Sequence, residues 1–160
     1  MGRIDYEDAL ARQTDVFNRL IQAKVENREE ESVLFFAEHN PVLTLGKSGK
    51  ETNLLVSEER LKALGVSFYH VTRGGDITYH GPGQITGYPV FDLDKWNLGL
   101  KDYIYKMEDV IIRFLALYNI KGEKMNEATG VWLDPNDPKR ARKICAIGVK
   151  SSRFVTMHGF

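Results

Sequence analysis

Apolar residues fall at helical spacing in two long stretches and alternate with polar residues through most of the remainder. Over residues 5–27, Ala9, Val16, Phe17, Leu20, Ile21 and Lys24 recur at helical spacing with Arg, Gln and Glu between them, which predicts an amphipathic helix. Over residues 100–120, Tyr103, Ile104, Met107, Val110, Ile111, Phe114, Leu115 and Leu117 predict a second long helix with one broad core-facing stripe. Ser57 caps a short third helix, with Glu58, Glu59 and Arg60 in its first turn and Gly65 at its end. Strands are expected over 32–37, 42–45, 66–72, 77–80, 84–93 and 130–133. The alternation over 142–150 and 154–157 predicts a hairpin around Ser151-Ser152. His39-Asn40-Pro41 reads as a turn, so His39 is expected to be a turn residue. Helices set against consecutive strands predict an α+β fold, a single domain with one large, largely antiparallel sheet covered by helices on one side.

Composition narrows the possibilities. The chain has 160 residues, 42% hydrophobic and 28% charged, with Lys plus Arg equal to Asp plus Glu at 22 each. That balance gives no reason to expect nucleic acid as a partner. One cysteine allows no internal disulfide and no cysteine-rich zinc site, and a lone thiol suits a reducing cytoplasm. No segment has the apolar length of a bilayer span, and the first ten residues do not resemble a signal peptide. His39, His70, His80 and His158 show no ligand spacing with carboxylates, so no metal is expected.

The unusual stretch is Arg73-Gly74-Gly75-Asp76-Ile77-Thr78-Tyr79-His80-Gly81-Pro82-Gly83-Gln84, continuing to Tyr88-Pro89. Its glycines permit tight turns and a close approach of ligand to backbone. Strand 77–80 is expected to form a hairpin with the strand after it, Thr78 and His80 on one face and Ile77 and Tyr79 on the other. It is not a phosphate loop, having neither G-x-x-x-x-G-K-[ST] nor a G-x-G-x-x-G that opens a helix.

This stretch, followed by Tyr88-Pro89-Val90-Phe91-Asp92-Leu93, resembles the signature of the lipoate-protein ligase B family, the octanoyl-[acyl-carrier-protein]:protein N-octanoyltransferases. Arg142-Lys143-Ile144-Cys145-Ala146-Ile147-Gly148-Val149 and Thr156-Met157-His158-Gly159-Phe160 match two further family segments in the same order. The resemblance implies the biotin/lipoyl protein ligase fold, related to class II aminoacyl-tRNA synthetase catalytic domains. It implies transfer of an octanoyl group from acyl carrier protein, through an enzyme thioester, to a lysine of a lipoyl domain, in the cytoplasm. The acceptors would be lipoyl domains of 2-oxoacid dehydrogenase complexes and the glycine cleavage H protein. Neither ATP nor any other cofactor is expected, and no nucleic acid or membrane partner.

The resemblance also places residues. Lys143 maps onto the catalytic lysine, which lowers the pKa of the thiol nucleophile and moves protons. Arg73, Gly74, Gly75, Asp76, Ile77, Thr78, Tyr79 and His80 match an acyl-binding segment, with Ile77 and Tyr79 as apolar wall. Ala146, Ile147 and Gly148 match a second, whose backbone N–H groups would hold the acyl carbonyl. Thr156, Met157 and His158 match a third. The family's nucleophilic Cys lies in an Asn-Pro-Cys-Gly type segment beyond the His-Gly-Phe at which this sequence ends. The chain as given is therefore expected to lack its nucleophile and to be inactive alone. Cys145, where family members commonly carry Ala, is read as a small buried packing residue. The alternatives are an ATP-dependent lipoate or biotin ligase, whose Ser-Gly-Gly-Gly or Gly-Arg-Gly-Arg loops are not found here, and an inactive acyl-binding module.

Overall fold

The computed structural model describes residues 1–126 and 128–160. In chain order the elements are β1 (Arg3–Ile4), α1 (Tyr6–Val25), β2 (Val33–His39), β3 (Val42–Leu45), α2 (Glu58–Ala63), β4 (Ser67–His70), β5 (Ile77–His80) and β6 (Thr86–Val90). They continue with α3 (Leu100–Ala116), β7 (Glu123–Met125), β8 (Ala128–Leu133), β9 (Arg142–Cys145), β10 (Gly148–Ser152) and β11 (Val155–Gly159). Two compact units divide them: Met1–Asp92 with Gly148–Gly159, and Leu93–Ile147 with Phe160.

In the first unit, α1 starts with Glu7 and Asp8 in its first turn and ends with Lys24 in its last, which complements the helix dipole. Its Val16, Phe17 and Leu20 pack on Val90, Val155 and Met157 to form the main core cluster. β2 pairs in parallel with β1 and antiparallel with β6, from Val33 opposite Val90 to Ala37 opposite Thr86. β3 is the centre of a second sheet, with β4 parallel on one edge and β5 antiparallel on the other. β10 and β11 form a hairpin, Gly148 opposite Gly159 and Ser152 opposite Val155. β11 is pinned to the end of β6 by Thr156, whose N–H donates to Phe91 O at 2.8 Å and whose Oγ1 donates to Pro89 O at 3.1 Å.

In the second unit, α3 lies against β8 of the antiparallel sheet β7-β8-β9. Tyr103, Met107 and Leu115 of the helix and Val131 of β8 are buried. Gly122 admits the close approach, since a Cβ there would stand 2.8 Å from both Leu115 and Val131.

Helix positions follow the sequence pattern, and Ser57 caps α2 by accepting from Arg60 N–H. Strand pairing departs from it in three places, and the apolar face of α3 in a fourth. β5 forms no hairpin with β6; it pairs with β3, while β6 pairs with β2. The reason is burial: Val42, Thr44 and Leu45 are inside, so β3 needs backbone partners on both edges. The 142–150 stretch is interrupted at Ala146-Ile147, with β9 paired to β8 and β10 to β11. The hairpin turn is at Arg153-Phe154, not Ser151-Ser152; both residues are left-handed, φ 49° and 61°, as a two-residue turn between twisted strands requires. The described strands therefore form four small sheets where one large sheet was expected. Finally, Val110, Phe114 and Leu117 are 61%, 47% and 79% exposed, because β8 covers a narrower face of α3 than the apolar stripe spans. Among the described residues no helix is long and apolar enough to cross a membrane.

Candidate active site

The Arg73 loop is held from its own side chains outward. Arg73 is 7% exposed, and its Nη2 donates to both Thr44 O (2.8 Å) and Thr44 Oγ1 (2.6 Å), while Nη1 donates to Gly74 O (3.0 Å). The loop after β3 is laced to it: Lys47 N donates to Arg73 O, Ser48 N to Gly75 O and Gly46 N to Asp76 O. A Cβ at Gly46 would lie 2.3 Å from Gly75 O, so only glycine allows this approach. Asp76 closes the loop, accepting from Asn53 Nδ2 (2.5 Å) and then Ile77 N (2.7 Å), which holds its carboxyl below the usual carboxylate range. Gly74 N donates to Val149 O, and a Cβ on Gly148 would meet Gly74 O at 2.8 Å. The first and second glycine-bearing segments thus touch at Gly74 and Gly148.

Beyond the loop, β5 alternates as expected. Tyr79 is half exposed, its ring folded over Gly81. His80 turns inward, its ring parallel to that of Tyr6 at 6.3 Å and edge-on to His39 at 6.0 Å. His80 Nδ1 donates to Gln84 Oε1 (2.6 Å), which leaves Nε2 as the nitrogen with the lone pair. Burial lowers the His80 pKa against the opposing effect of this bond. His39 ends β2 and is fully buried, not in a turn as its Asn-Pro neighbours suggested. Sequence reasoning missed the surrounding aromatic set of Tyr6, Tyr69 and Tyr88. The available signal was alternation: Phe35, Ala37 and His39 share one face of β2.

The third segment divides by role. The hydroxyl of Thr156 is committed to backbone carbonyls, and Met157 belongs to the core. His158 is 2% exposed with φ 61°, and neither ring nitrogen has a partner among the described residues. It lines a cavity of about 190 Å³ together with Thr14, Phe17, Thr72 and Lys150. Burial, then the positive charges of Arg73 and Lys150, push its pKa down to about 4, so the ring is neutral.

In the second unit, β9 carries Lys143, whose Nζ sits 4.8 Å from the Trp132 ring centroid. Cys145, two residues on, is half-buried, and its thiol is pushed up to about 11, first by burial and then by the Glu108 carboxylate, against the opposing pull of Lys143. Ala146 and Ile147 form the link between β9 and β10. The unit also holds a cavity of about 660 Å³ lined by Tyr105, Glu108, Lys124 and Met125. Among the described residues no group of three or more His, Cys, Asp or Glu is arranged to hold a metal ion.

Comparison with known proteins agrees with the resemblance. The family model "Lipoyl protein ligase A/B catalytic domain" matches residues 5–160. An octanoyltransferase of Parabacteroides distasonis is 69% identical over all of this chain, which spans 72% of that protein. An octanoyltransferase of Porphyromonas gingivalis is 57% identical over 99% of this chain, which spans 32% of that longer protein. The crystal structure of P. falciparum LipL1 in complex with lipoate has the same fold, with a TM-score of 0.68 at 16% identity over 99% of this chain and 45% of that one. The chain belongs to the lipoyl protein ligase A/B catalytic domain family, with high-identity relatives among its octanoyltransferases.

Proposed function

We propose that this chain serves an octanoyltransferase of lipoate biosynthesis, an acyltransferase that moves octanoyl from acyl carrier protein to a lipoyl-domain lysine through an enzyme thioester. The observation that carries the reading is 69% identity over the full chain to a relative of that name. A thiolate attacks the donor's thioester carbon, and the carrier thiol leaves with a proton. The acceptor amine then attacks the enzyme thioester and the enzyme thiol is regenerated. The acyl group arrives already activated as a thioester, so the reaction calls for neither ATP nor another cofactor. Acceptors are lipoyl domains of 2-oxoacid dehydrogenase complexes and the glycine cleavage H protein, all met in the cytoplasm.

Lys143 is the catalytic lysine, its ammonium favouring the thiolate and then delivering or taking the proton. Leaving Cys145 out of that role is supported by its thiol, pushed up to about 11 and so almost wholly protonated at neutral pH. The Arg73–His80 segment and Gly148 offer bare backbone against which an alkyl chain can lie. His158, neutral and with both ring nitrogens unpartnered among the described residues, is the polar contact for the acyl carbonyl.

The test is intact-mass spectrometry of the complete gene product carrying this sequence, mixed with octanoyl-carrier protein and a lipoyl domain without ATP. An octanoyl adduct on the enzyme, chased to the acceptor and abolished by Lys143→Ala, is expected. Transfer that required ATP and free octanoate would replace this reading with an ATP-dependent ligase.

A further inference from the structure

Lys143 is exposed on a surface strand, where a lysine ordinarily samples many rotamers, yet four features of β8 and α3 fix it. The first is a bulge. Val131 pairs with Cys145 but Trp132 pairs with Lys143, so one step along β8 spans two residues of β9, and Ile144 is the extra residue. Such a bulge re-aims the side chains beside it. It sets Lys143 directly across from Trp132.

The second is the indole itself. Lys143 Nζ lies 4.8 Å from its centroid, within the range where the negative π face attracts a cation. The indole is locked in turn, because Nε1 donates to Ala128 O at 3.1 Å within the same strand.

The third is Gly130. Its φ is 118°, and a Cβ there would stand 2.5 Å from Cys145 O and 3.3 Å from both Cδ and Cε of Lys143. The lysine stem therefore rests on bare backbone. The fourth is Glu108 of α3, 5% exposed, whose Oε1 accepts from Gly130 N–H at 2.9 Å. The carboxylate satisfies a buried donor at the bulge and anchors to the helix the glycine that carries the stem.

We propose that Trp132 is a positioning residue for Lys143, a π platform that holds its ammonium in one place, with Gly130 and Glu108 fixing the strand beneath it. The inference rests on the catalytic role given to Lys143 above. Only one side of the ammonium faces the ring, so its N–H donors on the other sides stay free for a thiolate.

Two measurements test it. In this chain, NMR of the lysine side chains should show one set of methylene protons displaced upfield by the indole ring current and restored in Trp132→Leu, apart from those of Lys101, Lys124 and Lys150 over other rings; a parent chain in which no displaced lysine responds to Trp132→Leu would overturn the placement. In octanoyl transfer by the complete gene product, Trp132→Leu should lower kcat about tenfold with the KM for the acyl donor within about twofold, and Trp132→Phe, which keeps a π face, should recover most of the loss. Fluorinated tryptophans, introduced with every tryptophan of the complete gene product other than Trp132 replaced by Phe as background, should lower kcat progressively as the ring's negative face weakens, a trend that a packing role would not give. Parental kcat in Trp132→Leu, alongside a dead Lys143→Ala, would overturn the proposal alone. Parental transfer by Lys143→Ala would overturn the role of Lys143 and the proposal with it.

Discussion

His39 and Tyr88 share a buried hydrogen bond of 2.6 Å between Nε2 and Oη. The direction is fixed by the other ring nitrogen, because Nδ1 lies 2.9 Å from Ile4 O, which can only accept. His39 therefore carries its proton on Nδ1, and the Tyr88 hydroxyl donates to Nε2. This chain of bonds ties β1, β2 and β6 together behind His80.

Tyr88→Phe should then leave a buried imidazole nitrogen unpaired, with His39 fully buried. The expected loss is about 1–3 kcal/mol in urea denaturation. A change below about 0.5 kcal/mol would show that the hydroxyl does not carry this bond.

Arg73→Lys is the second prediction. Arginine reaches Thr44 O and Oγ1 with one nitrogen and Gly74 O with another. A single ammonium cannot reproduce that fork, so the substitution should cost about 1–3 kcal/mol although it keeps the charge. Equal urea midpoints for Lys and Arg would mean that charge, not geometry, holds the loop.

The third concerns pH. The folded His158 titrates near 4, and an unfolded histidine near 6.5. Between these values the unfolded chain binds the extra proton, so stability is complete above about 6.5 and falls as pH drops toward 4. The loss from this one group is on the order of 3 kcal/mol at its limit. His39 and His80 are lowered too and act in the same direction. His158→Asn, a residue that tolerates φ 61°, should flatten the dependence between pH 7 and pH 5. An unchanged slope in urea midpoints would place the titration elsewhere.

The fourth separates Cys145 from catalysis. A thiol pushed up to about 11 should react with iodoacetamide at pH 7.5 roughly two orders of magnitude more slowly than a free thiol, and Glu108→Gln should speed it. Cys145→Ala should leave octanoyl transfer by the complete gene product unchanged. Rapid alkylation, or loss of transfer, would reopen Cys145 as the nucleophile.

Much of the frame is legible along the chain because its causes are local. The apolar spacing of Val16, Phe17 and Leu20 defines α1, Ser57 defines the start of α2, and the glycines around Arg73 define a loop pressed on backbone. Pairing partners were less legible. Ile77–His80 and Thr86–Val90 sit six residues apart and invite a hairpin, yet β3 takes one strand and β2 the other. Nothing near residue 80 encodes that choice; it follows from how deeply Val42 and Thr44 are buried.

The same division runs through the site. Motif and spacing are properties of the chain, so the residue types at Arg73–His80, at Lys143 and at His158, and through them the family, could be read before folding. What each side chain meets is settled when the chain folds. Arg73 turns to Thr44, His158 is buried with no partner for either nitrogen among the described residues, and a bulge of one residue sets Lys143 on Trp132. Burial and cross-strand register join residues far apart in the chain, and their energies exist only once the strands have met.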